Sequence, residues 1–157
     1  MAIVGVVGLS GSGKSTLIDD YTARGFQVFD DIGRDKPWHV AAETIRQAAL
    51  QGDVVFSDIL FCCRTPEAVD QVFRSPGHPF RGRDDFEQQV GERIEWIFFE
   101  NDPDQCSKNC SHRAMQIQRD LNFENALIRA LTQVYEPPEK ARPVWAGDRG
   151  TDGRSVE

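Results

Sequence analysis

Lysine is scarce in this sequence. Four of its 18 basic residues are lysines, Lys14, Lys36, Lys108 and Lys140, and the other 14 are arginines. The bias either reflects base composition or supplies planar forks that match phosphate and carboxylate. Basic charge as a whole is in deficit: 25 acidic residues give a net charge of −7. That excludes the broad basic face of a non-specific DNA binder, though not a local pocket for phosphates. Long apolar runs are missing too. Met1–Leu9 falls far short of the roughly 18 residues a membrane span needs. It has no basic start or cleavage site, so no secretory signal is expected. Four cysteines without an export signal read as reduced thiols in cytoplasm. Internal repeats are absent, and nothing is of low complexity before the last ten residues. What remains is an ordinary globular mix, 39% hydrophobic and 27% charged over 157 residues. That length predicts one domain on one core.

The apolar run Ala2–Val7 is rich in β-branched residues and bounded by glycine, the pattern of a strand buried on both faces. A helix is expected from Lys14 to Ala23 and a short strand from Phe26 to Phe29. Trp38–Gln51 carries Trp38, Ala41, Ala42, Ile45, Ala48 and Ala49 at helical spacing. Val54–Phe56 reads as a third strand. Thr65-Pro66 and Asp102-Pro103 are helix starts, each a capping side chain before a proline. Ser75–Arg83 reads as a Pro/Gly/Arg loop, followed by a polar helix from Asp84 to about Gly91. Ile94–Phe99 is a fourth strand. Phe123, Ala126, Leu127, Ala130, Leu131 and Val134 mark a further helix, stopped by Pro137-Pro138. Pro143–Trp145 is a candidate last strand. Residues 1–146 form the expected domain, and 147–157 a polar tail. Strands alternating with helices predict an α/β three-layer sandwich with a mostly parallel sheet of about five strands.

Gly8-Leu9-Ser10-Gly11-Ser12-Gly13-Lys14-Ser15 fits the pattern G-x-x-x-x-G-K-[ST] at every fixed position, with a strand before it and a helix after. Glycines let the loop curl so that its N–H groups point at phosphate oxygens. The helix start adds partial positive charge. Gly8, Ser10, Gly11, Ser12, Gly13, Lys14, Ser15 and Thr16 are thus the expected ATP-binding residues. Lys14 would reach the β and γ phosphates, and the Ser15 hydroxyl would bind Mg²⁺.

On this motif and its context the sequence resembles the P-loop NTPases, and among them the small single-domain kinases of the shikimate, gluconate, adenylate and polynucleotide kinase group. The likeness covers most of the chain as an order of elements. It implies a five-stranded parallel core, ATP with Mg²⁺, a substrate pocket beyond strand two, and an arginine-bearing lid at about 103–122. Trp96–Asp104 resembles the strand that precedes such a lid. Asp58 looks like a Walker B aspartate on the metal side, or else caps a strand end or helix. Asp30 and Asp31 stand where those kinases place an acid against the acceptor hydroxyl or the metal. On an extended chain only one of the two would face the pocket, and Asp31 is favoured as base. Arg34 follows as an arginine follows the acid in polynucleotide kinases.

Arg113 and Arg119 fall in the presumed lid, where they would meet phosphate or else lie on a solvated helix face; Arg119 is the preferred catalytic cation. Arg81 and Arg83 would hold an anionic substrate or lie in an exposed loop, and Arg64 is similar. Cys106 and Cys110, with His112 behind, suit one apolar helix stripe better than zinc. Trp38 would pack in the core or stack on a substrate ring.

These residues predict an ATP-dependent kinase for a small-molecule or nucleotide acceptor, with Mg²⁺ as cofactor. The rivals are a nucleotide-binding or ATP-hydrolysing regulatory protein without an acceptor, and a 5′-end nucleic acid kinase, which the −7 charge disfavours. No Asn-Lys-x-Asp motif of the GTPases is present. Neither the acceptor nor the oligomeric state is fixed by any pattern.

Overall fold

A computed structural model describes residues 1–117 and 121–146. Its strands are β1 (Ile3–Val7), β2 (Gln27–Phe29), β3 (Val54–Ser57) and β4 (Glu95–Phe98). Its helices are α1 (Lys14–Ala23), α2 (Trp38–Ala49), α3 (Pro66–Phe73), α4 (Arg83–Val90), α5 (Pro103–Ile117) and α6 (Leu121–Thr132). A 3₁₀ turn, Ile59–Cys62, follows β3. The strands form one all-parallel sheet in the order β2-β3-β1-β4.

β1 and β3 are buried at every position, which is why they read as continuous apolar runs. The two faces of the sheet separate by alternation. Val4, Val6 and Val55 pack with Leu17, Ile18 and Tyr21 of α1. Ile3, Val7, Val54 and Phe56 join the larger cluster with Ala41, Ile45, Val69 and Phe86 from the other helices. An aromatic group lies at its centre: Phe56 sits 5.6 Å from Trp96, and Trp38 sits 4.4 Å from Phe80.

Helix starts follow the local chemistry. Thr65 Oγ1 accepts from Ala68 N, and Asp102 Oδ1 accepts from Gln105 N. Phe123, placed by spacing on the buried stripe of α6, is instead exposed, while Ile128 and Leu131 are buried. The fifth strand expected at Pro143–Trp145 is reduced to one parallel bridge, Phe99 with Arg142. Arg142 N donates to Phe98 O and Glu100 N to Arg142 O, both at 2.8 Å. Tyr135 on the segment after α6 donates its buried hydroxyl to Val7 O and Phe99 O. One bridge and one phenol thus tie the carboxyl ends of β1 and β4 beside where a further strand would run. Among the described residues no helix is long and apolar enough to cross a membrane.

Candidate functional site

Strand order reverses around β1, and in such sheets ligands bind beyond the carboxyl ends of the strands. The loops leaving β1, β2 and β3 converge there on a cavity of about 1130 Å³. Ser10, Gly11, Gly13, Lys14, Ser15 and Thr16 line it from the loop after β1. Gly13 caps α1 at φ 110 without a side-chain hydrogen bond, and no acidic residue stands in the first turn. An uncapped, unneutralised helix start of this kind suits a phosphate. Lys14 Nζ donates to Gly8 O and Leu9 O, each at 2.8 Å. Gly8 and Ser12 do not line the cavity. Ser12 is fully buried beneath the loop, and a Cβ on Gly8 would meet its Oγ at 2.5 Å.

Helix α5 holds this loop from the side. At Gly11, φ is 83, and a Cβ would lie 2.5 Å from Cys106 O and 3.0 Å from Cys110 Sγ. Asn109, 8% exposed, donates through Nδ2 to Gly11 O at 2.8 Å and to Trp145 O. Trp145 N in turn donates to Ser12 O at 3.0 Å. Nothing in the sequence marks Asn109, a single polar residue inside a helix. Cys106 and Cys110 are buried in this packing and neither forms a disulfide, and the described residues contain no cluster of three metal-ligating side chains.

The strand-two carboxylates depart from expectation. Both Asp30 and Asp31 line the cavity. β2 ends at Phe29, so neither residue is on an extended chain, and Asp31 turns through φ 49. Asp30 Oδ1 accepts from Ser57 Oγ and from Asp31 N. The Asp31 side chain is 48% exposed, with Arg34 at 4.0 Å. Arg34 also lines the cavity.

Asp58 both caps and faces the site. Its Oδ1 accepts from Leu60 N and its Oδ2 from Gly33 N, each at 3.0 Å. That pair of bonds ties the turn after β2 to the end of β3. Burial raises the Asp58 carboxyl above its ordinary value; the two N–H groups offset this in part, Asp31 raises it further and Lys14 lowers it. Trp38 lies in the core, with its ring edge over Gly33, where a Cβ would meet it at 2.2 Å.

Arg81, Arg83 and Arg64, expected to hold an anionic substrate, do not line the cavity. Arg81 pairs with Asp70 at 3.0 Å, and Arg64 with Asp84 at 3.1 Å. Arg83 is 7% exposed, donates to Phe61 O and lies 4.8 Å from the Phe98 ring centre, so it braces the core. The Arg113 side chain and Arg119 lie outside the described residues. Sequence reasoning missed the outer lining: Ile59, Leu60, Phe73 and His78 on one side, and Lys108, His112, Glu124 and Trp145 on the other.

No protein-family model and no curated protein sequence matches this chain. Among solved structures, a gluconokinase from Sinorhizobium meliloti 1021 aligns over 99% of this chain and 86% of its own, with a TM-score of 0.59 and 15% identity. This chain has the P-loop kinase fold. The YorR protein from Bacillus subtilis, solved in complex with phosphorylated GDP, aligns over 98% of this chain and 92% of its own, with a TM-score of 0.50 and 7% identity. At such identities the likeness is one of fold. The shared fold accounts for the cavity's position: the glycine-rich loop after β1, the acidic turn after β2 and Asp58 after β3 meet at one end of the sheet.

Proposed function

We propose that this protein is an ATP-dependent kinase that transfers the γ-phosphoryl group to a hydroxyl of a small acceptor. One observation carries the reading: an uncapped glycine-rich loop and the carboxylates of Asp30, Asp31 and Asp58 share a single cavity of about 1130 Å³. That volume lies just above the usual range for a small-ligand site, about 300–1,000 Å³.

The loop N–H groups of Gly11, Gly13, Lys14, Ser15 and Thr16 cradle the phosphates of ATP, and Lys14 neutralises their outer charge. Ser15 and Asp58 are the residues that would hold Mg²⁺, and their oxygen donors suit a hard cation. Bound there, Mg²⁺ would withdraw charge from the phosphates during transfer. Asp31 accepts the proton of the acceptor hydroxyl. Asp30 is less suited, because Ser57 and the Asp31 N–H already occupy its Oδ1. Arg34 stands beside Asp31 to orient the acceptor, and Arg119 is assigned to the transferring group. The rest of the mechanism is positioning and electrostatics.

The test is ATP consumption over a panel of hydroxyl acceptors, with and without Mg²⁺, for the parent, Lys14→Ala and Asp31→Asn. The expected result is acceptor-dependent turnover that needs Mg²⁺ and falls in both variants. Turnover indifferent to every acceptor would make the protein a plain ATPase. A parental rate in Lys14→Ala would remove the phosphate assignment.

A further inference from the structure

The acceptor side of the cavity has a built aromatic shelf. Phe73 ends α3, and His78 follows in the loop before α4. Their rings are stacked, with centres 4.2 Å apart and planes 12° from parallel. Both line the cavity, and Phe73 is 39% exposed. The shelf is anchored from below: His78 Nδ1 accepts from Phe80 N at 3.0 Å, and Phe80 is buried against Trp38. Since Nδ1 accepts, the neutral ring carries its hydrogen on Nε2. Ile59 and Leu60 add apolar surface to the same cavity.

The charge of this side points the same way. Asp30, Asp31, Asp58 and Glu124 line the cavity with Lys14, Lys108 and Arg34, its single arginine among the described lining residues, and Arg34 already stands beside Asp31. Among the described residues, Arg81 is engaged by Asp70 and Arg64 by Asp84. A sugar acid or a nucleoside monophosphate would bring its own charge beside Asp30, Asp31 and Asp58. A neutral molecule with a flat ring and a hydroxyl meets a stacking surface and a base.

We propose that the acceptor is an uncharged nucleoside, its ring against Phe73 and His78 and its hydroxyl at Asp31. This rests on the kinase reading of the same cavity. In the reaction the nucleoside oxygen bonds to the γ-phosphorus of ATP. The bond from that phosphorus to the β–γ bridging oxygen breaks, and the hydroxyl proton passes to Asp31. The products are ADP and a nucleoside monophosphate.

The experiment has two readouts on the full chain. Equilibrium dialysis measures binding of adenosine, guanosine, cytidine, uridine and thymidine beside a non-hydrolysable ATP analogue and Mg²⁺. Transfer of label from γ-labelled ATP is followed to the same nucleosides, and to gluconate, shikimate, glycerol and nucleoside monophosphates. At least one nucleoside is expected to bind and become labelled. Phe73→Ala should weaken its binding about tenfold, the loss of one stacked base, with affinity for the ATP analogue and the melting temperature unchanged. Phe73→Tyr should restore it. A nucleoside that binds through the shelf but takes no label would support the acceptor site and overturn the kinase reading. Preferred labelling of a sugar acid, glycerol or a monophosphate would overturn the nucleoside assignment and keep the kinase. Absence of nucleoside binding, or binding indifferent to Phe73→Ala, would also overturn it.

Discussion

Removing the Asn109 side chain tests whether helix α5 holds the phosphate loop in place. Both hydrogens of its Nδ2 are used, one on Gly11 O at 2.8 Å and one on Trp145 O. In Asn109→Ala both carbonyls lose their donor. A buried acceptor left unsatisfied costs about 1–3 kcal/mol. Asn109 itself is 8% exposed, but the loop borders an open cavity, so water can replace part of the loss. The low end applies, about 2–3 kcal/mol for the pair. At about 2–4 °C per kcal/mol for a chain of this size, the melting temperature should fall by about 5–10 °C. Nucleotide affinity should fall as well, because the Gly11 carbonyl no longer fixes the curl of the loop. Circular-dichroism melts and equilibrium dialysis with an ATP analogue measure the two effects. Asn109→Leu, which keeps the branched shape and the number of side-chain heavy atoms, should not rescue either, since the deficit is one of donors. Gln105→Ala is the control: it removes only a bond to Asn109 Oδ1 and should cost under about 1 kcal/mol. Should Asn109→Ala melt within about 1 °C of the parent and bind the analogue equally, the loop does not depend on α5.

Four further outcomes are expected. Gly11→Ala should destabilise more than Gly25→Ala in chemical denaturation: both carry φ near 85–90, but only the first places a Cβ against backbone, 2.5 Å from Cys106 O. Equal losses would mean that the loop and α5 are not in firm contact. Lys14→Ala should abolish nucleotide binding in dialysis while lowering the melting temperature little, because its bonds to Gly8 O and Leu9 O are only partly buried. Asp31→Asn should slow transfer by about 10²–10⁴-fold with ATP affinity kept, whereas Asp30→Asn should act mainly on stability through its bond to Ser57; reversed phenotypes in a rate assay would exchange the two roles. Burial pushes the Cys62 and Cys63 thiols up to about 12, so a disulfide reagent at pH 8 should label neither until denaturant is added. The unfolded chain releases those protons near pH 8.5 and the folded chain only near 12, so stability should fall as pH rises across that interval; a flat alkaline stability curve would contradict the burial.

Local signals were readable without a structure. The phosphate loop is contiguous, and so are the helix starts at Thr65-Pro66 and Asp102-Pro103, where a side chain bonds an N–H three residues on. The stripe Trp38, Ala41, Ala42, Ile45 is also local, and all four are buried. Legibility ended where distant segments meet. Arg83, expected in a solvated loop, is drawn inward because Phe61 O and the Phe98 ring receive its guanidinium. The shelf of Phe73 and His78 joins a helix end to a loop. Asn109 acts on residues 98 positions before it and 36 after. The pairing of Asp30 and Asp31 at one cavity depended on where β2 stops, and a strand boundary is a tertiary outcome. The last strand was misjudged because Tyr135 and a single bridge at Arg142 secure β1 and β4 in its place.

On the kinase reading proposed above, the positive φ of Asp31 bears on how the activity could be lost by descent. Left-handed backbone tolerates aspartate, asparagine and glycine far better than other residues. The position is therefore filtered for shape before it is filtered for chemistry. Drift from aspartate to asparagine or glycine leaves the turn intact, with Gly33 still bonded to Asp58 and the phosphate loop untouched. A lineage taking that single step would keep a folded, nucleotide-binding protein that transfers nothing. The reverse step would be equally short, so a pseudoenzyme of this fold sits one codon change from a working one.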